Sequence, residues 1–331
     1  MPFVPNSNSY TSNPVDNDTV TSVQTEKSEC PTFEYAEPKY SLSDLIIPDS
    51  LYEELQTIIK AQECWKKVFE EWNLISVMKQ RKNLFVNLYG EPGTGKTMAA
   101  HAIVKAVNKK MIAVNYADIE SKYVGETSKN LTALFSFAKN NDAVIFFDEA
   151  DALLSKRVTN MSHSTDVSVN QTRSVLLTLL NDFEGMVIFA TNFIANYDPA
   201  FMRRIQYHVK FELPDVTLRE RLWRMYIPDE MPVRMDFHEI AQKHDNISGS
   251  DISNAVLKAA LRAAKENVDI ILQSYFEESV ERIIQSKNAN NPQDKSDLKI
   301  IKSETIPASE VPPEIREKAE QDMKLRKEDH I

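Results

Sequence analysis

Glycine is scarce. The 331 residues hold six, where average usage of about 7% would give roughly 23. They are Gly90, Gly93, Gly95, Gly125, Gly185 and Gly249. A chain so sparing with glycine keeps those whose backbone geometry or close approach no other residue supplies. Cysteine is scarcer still: Cys30 and Cys64 form no CxxC pair and have no histidine at ligand spacing. That excludes a disulfide framework and a zinc site and fits a reducing compartment. No apolar run reaches the about 18–20 residues that a membrane span needs. The first residues, Met1-Pro2-Phe3-Val4-Pro5-Asn6, lack a basic region followed by an apolar core, so no secretory leader is expected. The cytoplasm is the expected compartment. Positive charge is also short, with 39 basic against 49 acidic side chains and a net charge of −10. Duplex binding depends on clustered Lys and Arg, so the balance argues against nucleic acid and for protein partners.

What is present divides the chain into four stretches. Residues 1–40 are rich in Ser, Thr, Asn and Pro and read as a disordered tail. From 41 to 214 a helix over about 50–69 precedes a βα alternation. Apolar runs at Leu84–Tyr89, Met111–Asn115, Ala143–Phe147, Met186–Ala190 and Tyr207–Leu213 read as buried strands. Helical patterns near 96–108, 126–140 and 168–182 separate them. The expected fold class is α/β, a five-stranded parallel sheet covered by helices. After Pro214 the strand signal stops. Residues 215–286 read as an all-helical subdomain, with helices near 216–226, 234–244, 250–266 and 270–286. Residues 287–331 form a polar tail with one short helical stretch at 313–328.

Three of the six glycines fall in Gly90-Glu91-Pro92-Gly93-Thr94-Gly95-Lys96-Thr97. This is G-x-x-x-x-G-K-[ST] between an expected strand and an expected helix, the context that a phosphate-binding loop requires. Glycines let backbone N–H groups wrap phosphates, and the helix N-terminus adds partial positive charge. Lys96 is placed to reach the β- and γ-phosphates, and the Thr97 hydroxyl to hold Mg²⁺. Met98 completes the nucleotide-binding stretch. No Asn-Lys-x-Asp follows a strand, so the base is read as adenine and the ligand as MgATP.

Val144-Ile145-Phe146-Phe147-Asp148-Glu149 is a buried strand ending in two carboxylates. In P-loop NTPases the first assists Mg²⁺ and the second polarises the attacking water. Asp148 and Glu149 take those roles. Asp148-Glu149-Ala150-Asp151 also spells the signature of DEAD-box helicases. The short interval from Lys96 and the absence of a following Ser-Ala-Thr count against that reading, and the length leaves room for only one nucleotide-binding sheet.

Residues 41–286 resemble the classical AAA ATPases of the AAA+ superfamily, most closely the single-ring branch that includes katanin, spastin and bacterial relatives. The resemblance implies a P-loop NTPase sheet with a helical lid, and ATP hydrolysis in a ring, expected to be a homohexamer. Ala190-Thr191-Asn192 is similar to the family's sensor-1 segment, with Asn192 positioning the water. Asp198-Pro199-Ala200-Phe201-Met202-Arg203-Arg204 is similar to its second region of homology. Arg203 and Arg204 stand there as candidate arginine fingers for the neighbouring subunit's nucleotide. Ser248-Gly249-Ser250-Asp251-Ile252 resembles the sensor-2 region, implying that Gly249 and Ser250 pack against the nucleotide; no sensor-2 arginine is evident. Asp44-Leu45-Ile46-Ile47 occupies the place of the linker that covers adenine. Glu91 stands where the family usually has proline, at a permissive position.

Ser121-Lys122-Tyr123-Val124-Gly125-Glu126 follows the second strand. In this family an aromatic and an apolar residue before a glycine project into the axial pore, which makes Tyr123 and Val124 the candidates for gripping a polypeptide. Residues 157–170, basic at Arg157, are a candidate second pore loop. The expectation is a protein-remodelling ATPase acting on a protein substrate, directly or through an adaptor. The alternatives are a regulatory ATPase whose nucleotide-dependent assembly switches an effector, and a nucleic-acid loader. His101, His208 and His238 have no ligand spacing and read as structural.

Overall fold

The computed structural model describes residues 33–78, 83–115, 126–155, 164–192 and 197–290. The chain divides into two compact units. The first comprises the residues up to Leu45, Glu53–Gly90 and Lys96–Lys210; the second comprises Ile46–Tyr52, Glu91–Gly95 and everything from Phe211.

The first unit is built on five strands: β1 (Asn83–Gly90), β2 (Lys110–Asn115), β3 (Ala143–Asp148), β4 (Gly185–Thr191) and β5 (Tyr207–Phe211). They form one parallel sheet in the order β2-β3-β4-β1-β5. Strands such as Ala143–Phe147 and Met186–Ala190 are buried along their whole length, because helices cover both faces and leave no polar side for alternation. Its longer helices are α1 (Asp49–Lys66, in this unit from Glu53 onward), α2 (Lys96–Ala106), α3 (Glu126–Asn140) and α4 (Ser164–Asp182). Helix α1 stops three residues short of its expected end and passes into a π turn at Lys67–Glu71. Helix α4 begins four residues earlier than its periodicity suggests. Aromatic rings lock the core: Phe147 stacks on Phe189 at 5.4 Å, and Phe135 meets Phe183 edge-on at 5.1 Å.

Residues 33–40, assigned to the N-terminal tail from composition, lie along the outer edge of β2. Ala36 N donates to Met111 O at 2.8 Å in an antiparallel bridge. Tyr35 stacks on Phe137 and Lys110 sits over the Tyr35 ring. An edge strand presents unpaired backbone groups, and this segment satisfies some of them.

The second unit contains α5 (Val216–Tyr226), α6 (Phe237–Lys243), α7 (Gly249–Glu266) and α8 (Gln273–Asn290). Each of the first three starts at a side-chain cap: Asp215 accepts from Leu218 N, Asp236 from His238 N and Glu239 N, and Ser248 from Asp251 N. Such caps are worth about 1 kcal/mol each. Trp223 and Phe276 meet edge-on at 6.0 Å in its core. The unit is not wholly helical, because β6 (Val233–Arg234) and β7 (Ile271–Leu272) pair in parallel. Two-residue strands are too short for any alternation to show in the sequence. Among the described residues no helix is long and apolar enough to cross a membrane.

Candidate active site

The chain leaves β1 and crosses to the far edge of the sheet, so β4 lies between β1 and β3. Phe147 pairs with Phe189, and Tyr89 with Thr191. The carboxyl ends of three adjacent strands therefore finish level at a topological switch point, where open α/β sheets bind ligands. Those ends carry Gly90, Asp148-Glu149 and Thr191-Asn192.

The glycine-rich loop follows β1. Gly93 and Gly95 hold φ of 76° and 100°, a region that costs an L-residue about 1–2 kcal/mol. The Thr94 hydroxyl donates to Glu91 O at 2.8 Å and closes the turn. Lys96 opens α2, largely buried, and its ammonium donates to Gly90 O at 2.8 Å. One residue on, the Thr97 hydroxyl donates to Asp148 Oδ2 at 3.0 Å. This brings together the two groups that the sequence assigns to Mg²⁺. A hydroxyl beside a carboxylate is an oxygen donor set that suits this hard cation. A Cβ added at Gly95 would meet nothing within 4 Å, leaving room for a ligand to approach the backbone.

Asp148 accepts the backbone N–H of Glu149 through Oδ1 at 3.0 Å. Glu149 itself has a φ of 50°, a left-handed conformation that is uncommon outside glycine, asparagine and aspartate and clusters at functional sites. The turn is fixed on its other side by Ala150 N donating to Ala190 O at 2.9 Å. As a result the Glu149 side chain is exposed at the strand end.

Asn192 is half-buried, and its N–H donates to both oxygens of Asp151, at 3.2 and 3.3 Å. Asp151, which the sequence marks only as the last letter of a helicase signature, thus holds the backbone of Asn192. A second contact supports it: the buried Tyr197 hydroxyl donates to Thr191 Oγ1. Burial pushes the Tyr197 hydroxyl pKa well up, keeping it a donor. Beside it lies fully buried Asn87 on β1, whose side chain acts on the same hydroxyl. No sequence signal marks this polar cluster except an Asn inside an otherwise apolar strand.

Arg203 and Arg204 follow a single turn, Pro199–Met202, capped by Asp198, which accepts Ala200 N at 2.8 Å. The two differ. Arg204 donates to Asn181 Oδ1 and to Ala200 O, each at 2.7 Å. Arg203 is exposed, and its side chain has no partner among the described residues.

Within the second unit, Ser250 N donates to Gly93 O at 3.2 Å, and Gly249 lies against the same carbonyl. A Cβ on Gly93 would fall 2.0 Å from Ser250 Oγ and 2.6 Å from Ser248 Oγ. Gly93, Gly249 and Ser250 are therefore together, and Ser248 joins them although its sequence context does not single it out. Leu45 and Ile47 are buried, and Ile46 packs on the helical unit's core. His101 accepts from Lys39 N at 3.3 Å, and burial lowers its pKa, in keeping with a structural role. Tyr123, Val124 and Arg157 lie outside the described residues; of the candidate second pore loop, 164–170 belongs to α4.

Residues 86–213 match the family model described as "ATPase family associated with various cellular activities (AAA)". The chain is 31% identical over 256 residues to the 26S proteasome regulatory subunit 8 homolog of Schizosaccharomyces pombe, covering 72% of this chain and 62% of the relative. It is 34% identical over 212 residues to proteasome-activating nucleotidase 1 of Haloferax volcanii, covering 60% and 51%. It is also 34% identical over 208 residues to the ATP-dependent zinc metalloprotease FtsH of Lachnoclostridium phytofermentans, covering 60% and 36%. The chain thus spans less than two thirds of the length of each. These relatives carry the AAA assignment but lend no specific support to the katanin and spastin branch. Residues 86–213 of the chain are thus an AAA ATPase domain.

Proposed function

We propose that this chain hydrolyses MgATP and uses the cycle to remodel a protein substrate drawn into the central pore of a ring oligomer. The observation that carries the catalytic part is the Thr97–Asp148 hydrogen bond with Glu149 exposed beside it. Lys96, Thr97 and Asp148 would hold the metal and phosphates, and Mg²⁺ supplies charge neutralisation across the phosphate oxygens when bound. Glu149 orients the attacking water and takes its proton on the carboxylate. Asn192, held by Asp151, fixes that water from the neighbouring strand.

A ring is supported by the contrast between the two arginines. Arg204 is tied down within its own chain, while Arg203 extends from a capped turn without a partner among the described residues. A cation presented in this way suits a neighbouring subunit's nucleotide, and we take that subunit to be a second copy, in a hexamer. Relatives named for regulating or activating the proteasome, and for ATP-dependent proteolysis, support a protein substrate. Tyr123 and Val124 are the residues proposed to grip it, and the cytoplasm is the proposed compartment.

The test is the ATPase rate per subunit against protein concentration, for wild type and Glu149→Gln, with mass measured in parallel. The rate should rise steeply as rings assemble. Glu149→Gln should bind ATP and stay assembled while losing about 10²–10⁴-fold in turnover, the usual contribution of a general base. A concentration-independent rate in a monomer would sink the ring. Tyr123→Ala separates threading from an assembly switch: it should abolish unfolding of a tagged substrate while sparing ATP binding, and unchanged unfolding would favour the switch.

A further inference from the structure

Helix α7 begins at the turn that touches the glycine-rich loop, and one of the side chains that hold this turn comes from another helix. Ser248 donates to Asp251 Oδ2 twice, through its N–H and its hydroxyl, both at 2.7 Å. A third donor reaches the same oxygen, the ammonium of Lys287 on α8. Asp251 is 5% exposed, so its carboxylate has little water to compensate its charge, and a buried charge is stable only when paired and hydrogen-bonded. Burial pushes the Asp251 carboxyl pKa up; the Lys287 and Ser248 hydrogen bonds outweigh that and leave it lowered.

The turn so held is in direct contact with the loop. Ser248 Oγ and Ser250 Oγ lie 3.1 Å apart, Ser250 N donates to Gly93 O, and the two hydroxyls occupy the space where a Gly93 Cβ would stand. Contact at this range leaves no slack, so a displacement of the Ser248–Asp251 turn becomes a displacement of Gly93. All these groups belong to one compact unit.

We propose that Lys287 is a positioning residue for nucleotide binding: through Asp251, Ser248 and Ser250 it holds the Gly93 carbonyl, and with it the loop, in the geometry that binds phosphates. The proposal rests on the reading of residues 90–97 as the nucleotide loop. It gives α8, which is remote in sequence from the loop, a share in setting affinity alongside the groups proposed to hold the phosphates, with Asp251 as the buried partner of the pair.

The experiment measures MgADP affinity by calorimetry on the full chain, and KM and kcat for MgATP, in wild type, Lys287→Ala, Lys287→Arg and the double variant Lys287→Ala/Asp251→Asn. Lys287→Ala should weaken MgADP binding about tenfold and raise KM in step, with kcat falling far less. Lys287→Arg should restore most of the affinity, since it keeps the cation. The double variant should bind better than Lys287→Ala alone, because it removes the uncompensated carboxylate while leaving an amide to accept from Ser248. Thermal unfolding without nucleotide controls for simple loss of fold. Unchanged affinity in Lys287→Ala overturns the proposal. So does a lowered melting temperature with no change in affinity, which would make the pair merely structural. Wild-type protein that binds no MgADP would instead overturn the nucleotide-loop reading itself.

Discussion

The α/β unit and the helical unit use their polar side chains in opposite ways. In the first, the residues of interest stand on the last positions of β1, β3 and β4 and in the turns that follow, and several face solvent: Thr97, Glu149 and Arg203 are all exposed. In the second, polar groups are bound into the fold. Buried Arg219 donates to Ala241 O, Pro214 O and Asp245, and Asp251 collects Ser248 and Lys287. Groups left available at strand ends can act on a ligand; groups consumed by caps and ion pairs can only hold a shape. The contrast assigns turnover to the first unit and loop geometry to the second, and each assignment can be broken by substitution.

The largest effect is expected at Arg203. Arg203→Ala should cost roughly 10³-fold in hydrolysis, the lower range for a removed arginine finger, with ATP affinity retained. Arg204→Ala should cost less in rate, and about 1 kcal/mol in stability per hydrogen bond lost to Asn181 and Ala200. Mixing Arg203→Ala subunits with Glu149→Gln subunits tests the sharing directly. In the proposed ring each lesion would sit on a different side of a shared site, so the mixture should recover activity that neither variant has alone. No recovery would place both residues in one chain's own site.

How far this division is legible in the sequence depends on the range over which each feature is encoded. The strands are readable because burial on both faces writes continuous runs such as Val144-Ile145-Phe146-Phe147. The loop is readable because its glycines, lysine and threonine sit within eight residues. Features assembled across the chain leave no such trace. Asp151 holds Asn192, 41 residues away, and Lys287 reaches Asp251 across 36. Nothing local announces either pair. The β6–β7 ladder involves two residues a side, and the edge pairing of residues 33–40 is hidden by the polar composition around Phe33 and Tyr35. Propensity and periodicity average over a window, so they miss single residues that matter because of where the fold brings them.

A smaller effect, on stability rather than rate, should come from the loop glycines, both of which belong to the second unit. Gly93→Ala must accept both a φ of +76° and a Cβ overlapping the Ser250 and Ser248 hydroxyls; Gly95→Ala meets only its φ of +100°, with open space around it. Left-handed strain costs about 1–2 kcal/mol, and overpacking typically adds about 1–3 kcal/mol. In nucleotide-free protein, Gly93→Ala should therefore lower the thermal midpoint clearly more than Gly95→Ala. Equal shifts would mean that the Ser248 and Ser250 hydroxyls do not press on the loop in solution.

The smallest effect is expected at Tyr197, and it probes the first unit from inside. Tyr197→Phe removes one hydroxyl and leaves the ring packed in the same core cluster as Phe201. Thr191 Oγ1 then loses its donor, and buried Asn87 loses the neighbouring hydroxyl. A buried hydrogen bond of this kind is worth about 1 kcal/mol, and more where a polar group is left unsatisfied. Thr191 is the residue immediately before Asn192, so the loss falls on the strand end proposed to position the water. The expected result is a fall in kcat of several-fold up to about tenfold, with KM for ATP unmoved and the melting temperature slightly lower. A change in KM with kcat preserved would reverse the assignment, because the buried polar cluster under β1 and β4 would then be shaping the nucleotide loop, a task that the contacts of Ser248 and Ser250 otherwise assign to the helical unit.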